Sequence, residues 1–160
     1  MAEQKAPESA ITDEMRATIG VEGPPTLMDV DKTGIRMFAR AVGYTSPLFY
    51  DEAYAKSKGH RSLIAPPGYL GTAQYNPNAT RPGGGPGRGR TGGGLDGGVE
   101  RKYTGVEICA GDVLSAVGKI VSIDERPSRL GMMVITRRET TFTNQNGEVV
   151  CRAYNTILTY

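Results

Sequence analysis

Moving protons at neutral pH requires side chains that can hold and release one, and this 160-residue chain has few, with one histidine, His60, and two cysteines, Cys109 and Cys151. A single histidine excludes a histidine-cluster metal site and any triad needing a second imidazole. His60 lies in the polar run Lys58-Gly59-His60-Arg61, so it reads either as an exposed loop histidine or as a contact to a substrate phosphate. The cysteines are far apart in sequence and lack metal-ligand spacing, which makes them small apolar fillers. Asp51, Glu52 and Asp96 are carboxylates that could serve as bases, but nothing in their spacing singles them out. Asp96, in Leu95-Asp96-Gly97-Gly98, equally suits a turn. The run from Arg81 to Gly94 invites a phosphate-cradle reading, since glycines let backbone N–H groups approach an anion and Arg88 or Arg90 could pair with it. The same composition, with almost no side chain to bury, also describes a mobile loop with no ligand. No Walker pattern or metal-ligand spacing accompanies it, so no metal and no cofactor is implied.

The elements that would position these residues follow from periodicity and punctuation. Ser9 to Arg16 opens with cap-forming residues and leads into a short helix, which Gly20 and Gly23-Pro24-Pro25 end. Thr26 to Val30 reads as a brief strand. Asp31 is a good N-cap for a helix from Lys32 to Val42, in which Ile35, Phe38, Ala39 and Val42 recur at the spacing of one apolar face. Gly43 stands where a helix C-cap wants glycine, and Asp51 to Lys58, followed by Gly59, repeats the pattern. Ala65-Pro66-Pro67-Gly68 cannot continue a helix and predicts a rigid extended segment. Four strands rich in β-branched residues are expected in succession, at Val99 to Tyr103, Asp112 to Arg126, Arg129 to Asn144 and Glu148 to Tyr160. Arg126-Pro127-Ser128 is read as a break and Asn146-Gly147 as a hairpin turn. The chain fits a single α+β domain over residues 11–160, with a flexible N-terminus at 1–10 and a mobile Gly/Arg-rich loop at about 76–98. That length suffices to bury roughly two-thirds of the unfolded surface.

The most informative stretch is Gly43-Tyr44-Thr45-Ser46-Pro47-Leu48-Phe49. It resembles the hydratase motif of the MaoC-like (R)-specific enoyl-CoA hydratases, in which an apolar helix ends in Gly-Asp-x-Asn-Pro-Leu-His. Glycine, proline and leucine match, whereas Tyr44, Ser46 and Phe49 stand at the Asp, Asn and His positions. Adding water to an enoyl thioester needs a base for the water and a donor to the α-carbon, work that an Asp and His pair can do. A phenol gives up its proton only far above neutral pH, and a phenylalanine ring has none to give. The resemblance continues through Asp51-Glu52-Ala53-Tyr54-Ala55, Leu63-Ile64-Ala65-Pro66-Pro67-Gly68-Tyr69, Leu95-Asp96-Gly97-Gly98, Gly111-Asp112 and Asn144 to Glu148, and covers most of residues 10–160. These later pieces look like the N-terminal FAS1-like dehydratase branch, in which a non-catalytic hot-dog half pairs with a second hot-dog domain carrying the Asp and His. That branch often has histidine where Asp96 stands here.

The resemblance implies a hot-dog fold, a curved antiparallel sheet wrapped around the helix from Asp31 to Val42. It implies a subunit with no catalytic residue of its own, serving a heteromeric 2-enoyl-CoA hydratase or dehydratase as a heterodimer or heterotetramer, with acyl-CoA as substrate. Aromatic rings at 44 and 49 suit the wall of an acyl tunnel or a filled pseudo-site, with Ala65, Pro66, Pro67, Tyr69 and Tyr75 as further lining and His60, Arg88 and Arg90 as contacts for the CoA phosphates. Two other functions remain open: a homodimeric acyl-CoA-binding protein without catalysis, and a hot-dog thioesterase using Asp51, Glu52 or Asp96. A net charge of +2, with dispersed basic residues, argues against a nucleic-acid partner. No apolar run is long enough to span a bilayer and no signal-peptide core follows the N-terminus, so a cytoplasmic protein without a membrane partner is expected.

Overall fold

The computed structural model describes residues 9–77, 94–129 and 131–160. Helix α1 (Asp13–Ala17) is capped by the Thr12 hydroxyl, which accepts from the Met15 N–H at 3.2 Å. Strand β1 (Thr26–Asp29) then leads into α2 (Lys32–Ala41), whose N-cap Asp31 accepts from the Gly34 N–H at 2.8 Å. Ile35 and Ala39 of α2 are fully buried, and Phe38 packs against the same cluster. The expected apolar face therefore exists, except that Val42 remains half exposed. A 3-10 turn (Pro47–Phe49) and α3 (Glu52–Ser57) follow, then the short strand β2 (Thr72–Ala73).

Strands β3 (Gly94–Tyr103), β4 (Val113–Ser128), β5 (Gly131–Thr143) and β6 (Val149–Thr159) complete one antiparallel sheet, in the order β2-β1-β4-β5-β6-β3. It curls around α2, whose buried face meets Leu114, Phe142, Val150 and Cys151 of the sheet. This is the hot-dog arrangement that the resemblance implied. A smaller cluster, Ile11, Met15, Ile123 and Val134, seals α1 onto the far part of β4 and β5.

Three expectations need correcting. The last four strands are not a simple meander: β3 pairs with β6, so β4 and β3 lie on opposite sides of the β5-β6 pair. The connection between them is no tight turn. It passes the segment after α3, where Ala65 N–H donates to Ile108 and Ala110 N–H to Leu63, both at 2.8 Å. β3 also starts at Gly94, five residues before Val99, while residues 78–93, including Arg88 and Arg90, lie outside the described residues, as do residues 1–8. Finally, β4 runs through Pro127 to Ser128, with Pro127 opposite Met132. The proline is tolerated because it lies at the strand's last turnward positions, where a lost N–H matters least.

Asp112 fastens these pieces together. Its carboxylate is 1% exposed and accepts from both terminal nitrogens of Arg61 at 3.0 and 2.9 Å, from the Cys109 N–H at 2.8 Å and from the Gln145 amide at 2.9 Å. Burial pushes its pKa up, but Arg61, the Cys109 N–H and Gln145 outweigh that and hold it below its usual 3.8. A depressed folded pKa gives stability that is complete above the unfolded value and lost as pH falls through the folded one. Asp112→Ala should lower stability by about 1–3 kcal/mol at pH 7, because a buried N–H loses its acceptor. In urea unfolding followed from pH 7 down into the acid range, the gap between native protein and variant should narrow below the usual carboxylate value.

Candidate functional site

The end of α2 builds the motif region. Gly43 takes φ +79°, a left-handed conformation that suits glycine and turns the chain off the helix. The Tyr44 N–H still reaches back to the Ala39 carbonyl at 2.8 Å. Ser46 caps the 3-10 turn by accepting from the Leu48 N–H at 3.4 Å, with Pro47 at the first turn position. Asp51 is the N-cap of α3, accepting from the Tyr54 N–H at 3.1 Å. This local geometry brings the Tyr44 and Phe49 rings together, centroids 5.7 Å apart and tilted by 44°. Phe49 packs against the main core, and Tyr44 stays 38% exposed. The Tyr50 hydroxyl donates to the Tyr44 carbonyl at 2.6 Å and fixes the turn.

The extended segment after α3 forms the next wall. Ile64 N–H donates to the Leu48 carbonyl at 3.2 Å, tying this segment to the motif. Pro66 is buried, Ala65 packs against the core, and Pro67 is exposed. Tyr69 is buried, stacks on Phe38 at 5.6 Å, and places its hydroxyl near Asp31 and Thr72. Gly34 makes that possible, since a Cβ there would lie 1.9 Å from the Tyr69 hydroxyl. Tyr75 is 90% exposed and takes no part in this wall. A residue that sequence reasoning missed does: the Tyr103 hydroxyl of β3 accepts from the Gly68 N–H at 2.9 Å. Tyr103 lies 35 positions from Gly68, and no local pattern signals the contact.

The titratable candidates are structurally occupied. Glu52 pairs with Lys32 and, at 2.9 Å, with Lys56, and those two ammonium groups pull its pKa down to about 2. Asp96 lies at a bulge in β3 rather than in a free turn, accepting from the Gly98 N–H at 2.9 Å and from Asn155 at 3.2 Å. His60 is not an exposed loop histidine: it is half-buried, with Nδ1 against Glu107. The reason is the passing β3–β4 connection, which puts Glu107 beside it. The other Glu107 oxygen accepts from the Cys109 thiol at 3.1 Å.

A thiol, a carboxylate and an imidazole in contact suggest a nucleophile, but the order is unsuited to one. The carboxylate sits between thiol and imidazole, and burial followed by Glu107 pushes the Cys109 thiol up to about 11. Burial raises Cys151 as well. Among the described residues no three His, Cys, Asp or Glu side chains converge as metal donors, and no helix is long and apolar enough to cross a membrane.

Among the described residues β3 is the last strand of the sheet, and every residue of it is exposed. Tyr103 and Val99 lie opposite Cys151 and Asn155, which puts them on the core-facing side of the sheet. They are 44% and 43% exposed, Ile157 of the neighbouring strand is 40% exposed, and Met37 on α2 is 65% exposed. Full burial of such side chains would yield roughly 1.5–3 kcal/mol each for the aliphatic ones. Among the described residues no strand pairs with the outer side of the ten-residue β3, and an unpaired strand edge can accept another strand.

A family model described as the FAS1-like dehydratase domain region matches residues 17–153. The fold is similar to the ChsH1-ChsH2 complex from Mycobacterium tuberculosis, with a TM-score of 0.71, 20% identity and 92% of each chain covered. It is similar to the C-terminally truncated HadBC (3R-hydroxyacyl-ACP dehydratase) complex of the same organism, with a TM-score of 0.63, 26% identity, and 88% of this chain and 96% of that one covered. The (R)-hydratase of A. caviae involved in PHA biosynthesis shares the fold at a TM-score of 0.61 and 16% identity, over 87% and 94% of the two chains. In sequence, UPF0336 proteins of Parafrankia sp. strain EAN1pec and of Streptomyces griseus are 52% identical over 44 residues and 40% identical over 58. Those matches take in 28% and 36% of this chain, which spans only 29% and 39% of the relatives' length.

The burial of both thiols gives a direct test. Neither Cys109 nor Cys151 should react with a thiol reagent in the native protein at pH 8, and both should react once it is unfolded. A fast-reacting native thiol would contradict the assignment of Cys109 as a packed, protonated side chain.

Proposed function

Because the chain belongs to the FAS1-like dehydratase domain family, we propose that it is the non-catalytic subunit of a heteromeric (R)-specific 2-enoyl-CoA hydratase or dehydratase. A separate hot-dog partner supplies the Asp and His pair, and this subunit accommodates a long or bulky acyl group, such as a lipid or steroid side chain, in the cytoplasm. The observation that carries the reading is the Tyr44–Phe49 ring pair, standing at the end of α2 where the motif's acid and base would be. The backbone of the motif is built in full, with its glycine turn, its serine cap and its proline-started 3-10 turn. What differs from the family motif is the chemistry of the two side chains, Tyr44 and Phe49, which meet each other there.

Several features support this reading. Tyr44, Phe49 and Ala65 are apolar and only partly buried, which suits contact with an acyl chain, while Pro66 and Tyr69 are buried behind them. Among the described residues the outer edge of β3 is unpaired, which leaves backbone groups for continuing the sheet into a second hot-dog domain. Two of the similar solved structures are complexes of two differently named components, ChsH1-ChsH2 and HadBC. Against the thioesterase alternative, Asp51 caps a helix, Glu52 is held by two lysines and Asp96 secures a bulge.

Loss of enoyl-thioester absorbance is the deciding assay, with a short and a bulky enoyl-CoA. Turnover is expected only when this chain is co-expressed with a partner carrying an intact Asp and His motif. Turnover by the chain alone would overturn the reading. In the active complex, Tyr44→Ala should raise KM for the bulky substrate roughly tenfold and leave kcat for the short one nearly unchanged.

A further inference from the structure

Gly118 is an odd residue for the middle of a sixteen-residue strand, since it weakens the strand and contributes no side chain to pack. It is buried, and its reason is visible: a Cβ there would lie 2.7 Å from both Nε and Nη2 of Arg138 and 3.1 Å from Cζ. The Arg138 guanidinium thus rests on bare backbone. Arg138 lies opposite Ile120 in the β4-β5 register, and directly opposed residues share a face. Ile120 packs against the α1 cluster, so the cation lies on the concave side of the sheet, beside α1.

A pocket of about 430 Å³ opens there, between the chain that follows α1 and strands β4 and β5. Ala17, Val21 and Ile120 give it apolar walls, and Glu22, Lys119 and Arg138 contribute its charges. Lys119 has carboxylates on two sides, Glu22 at 3.8 Å and Glu139 at 3.7 Å. Arg138 is exposed and pairs with no carboxylate among the described residues. A flat guanidinium at an apolar wall matches the two oxygens of a carboxylate joined to a hydrocarbon body. Glu22 at the rim disfavours a dianion such as phosphate more than a monoanion.

We propose that this pocket is a binding site for a small amphipathic carboxylic acid, with the carboxylate on Arg138 and the hydrocarbon along Ala17, Val21 and Ile120. The site is separate from the Tyr44 and Phe49 wall, and the proposal does not rest on the hydratase reading. Octanoate titrated into the full chain, without partner or thioester, tests it by calorimetry. Saturable binding is expected, with octanol and inorganic phosphate each binding far more weakly. Arg138→Gln should weaken octanoate roughly tenfold or more. Gly118→Ala, which pushes the guanidinium off its seat while removing no charge, should weaken it as well, with an unchanged circular dichroism spectrum. Absence of saturable binding, equal affinity in Arg138→Gln, or phosphate binding as tightly as octanoate would each overturn the proposal.

Discussion

One buried carboxylate decides where the site can be. Asp112 joins Arg61, the turn at Cys109 and the β5-β6 hairpin through Gln145. Its own backbone adds a fourth tie, because its carbonyl accepts from Val30 N–H at 2.9 Å, one residue before the Asp31 cap of α2. The start of the central helix, the segment carrying Pro66 and Tyr69, and the β3–β4 connection are thereby held in one frame. The charge is acceptable in the interior because each lone pair has a donor. Remove it and these pieces lose their common reference, although each element could still form locally.

Upon that frame the turn at the end of α2 brings two aromatic rings together. Gly43, Ser46 and Pro47 still make a turn that aims two side chains at one point. There Tyr44 and Phe49 make an aromatic contact. Such a contact costs the fold little, since aromatic rings pack readily at a half-exposed position.

What the sequence disclosed and what it withheld divide by distance along the chain. Asp31, the apolar spacing from Ile35 to Val42, and Gly43 delimit α2 from neighbours within a few residues, and Asn146-Gly147 marks its hairpin, where Gly147 takes φ +83°. The motif substitutions at 44, 46 and 49 were legible for the same reason. The pairing of β3 with β6, the contact of His60 with Glu107, the reach of Tyr103 to Gly68 and the ties of Asp112 to Arg61 and Gln145 join residues 33 to 65 positions apart. No periodicity encodes such contacts, which depend on the path of the β3–β4 connection. The short 3-10 turn and β2 escaped for a different reason, being too brief for any repeat to show.

We propose that a second, catalytic hot-dog chain completes this one across the β3 edge. Amide hydrogen exchange over Gly94–Tyr103, with and without a hot-dog partner carrying an intact Asp and His motif, tests it most directly. The account predicts rapid exchange in the chain alone and strong protection in the mixture. Unchanged exchange on adding the partner, or full protection already in the isolated chain, would contradict it, the second result indicating a self-paired homodimer.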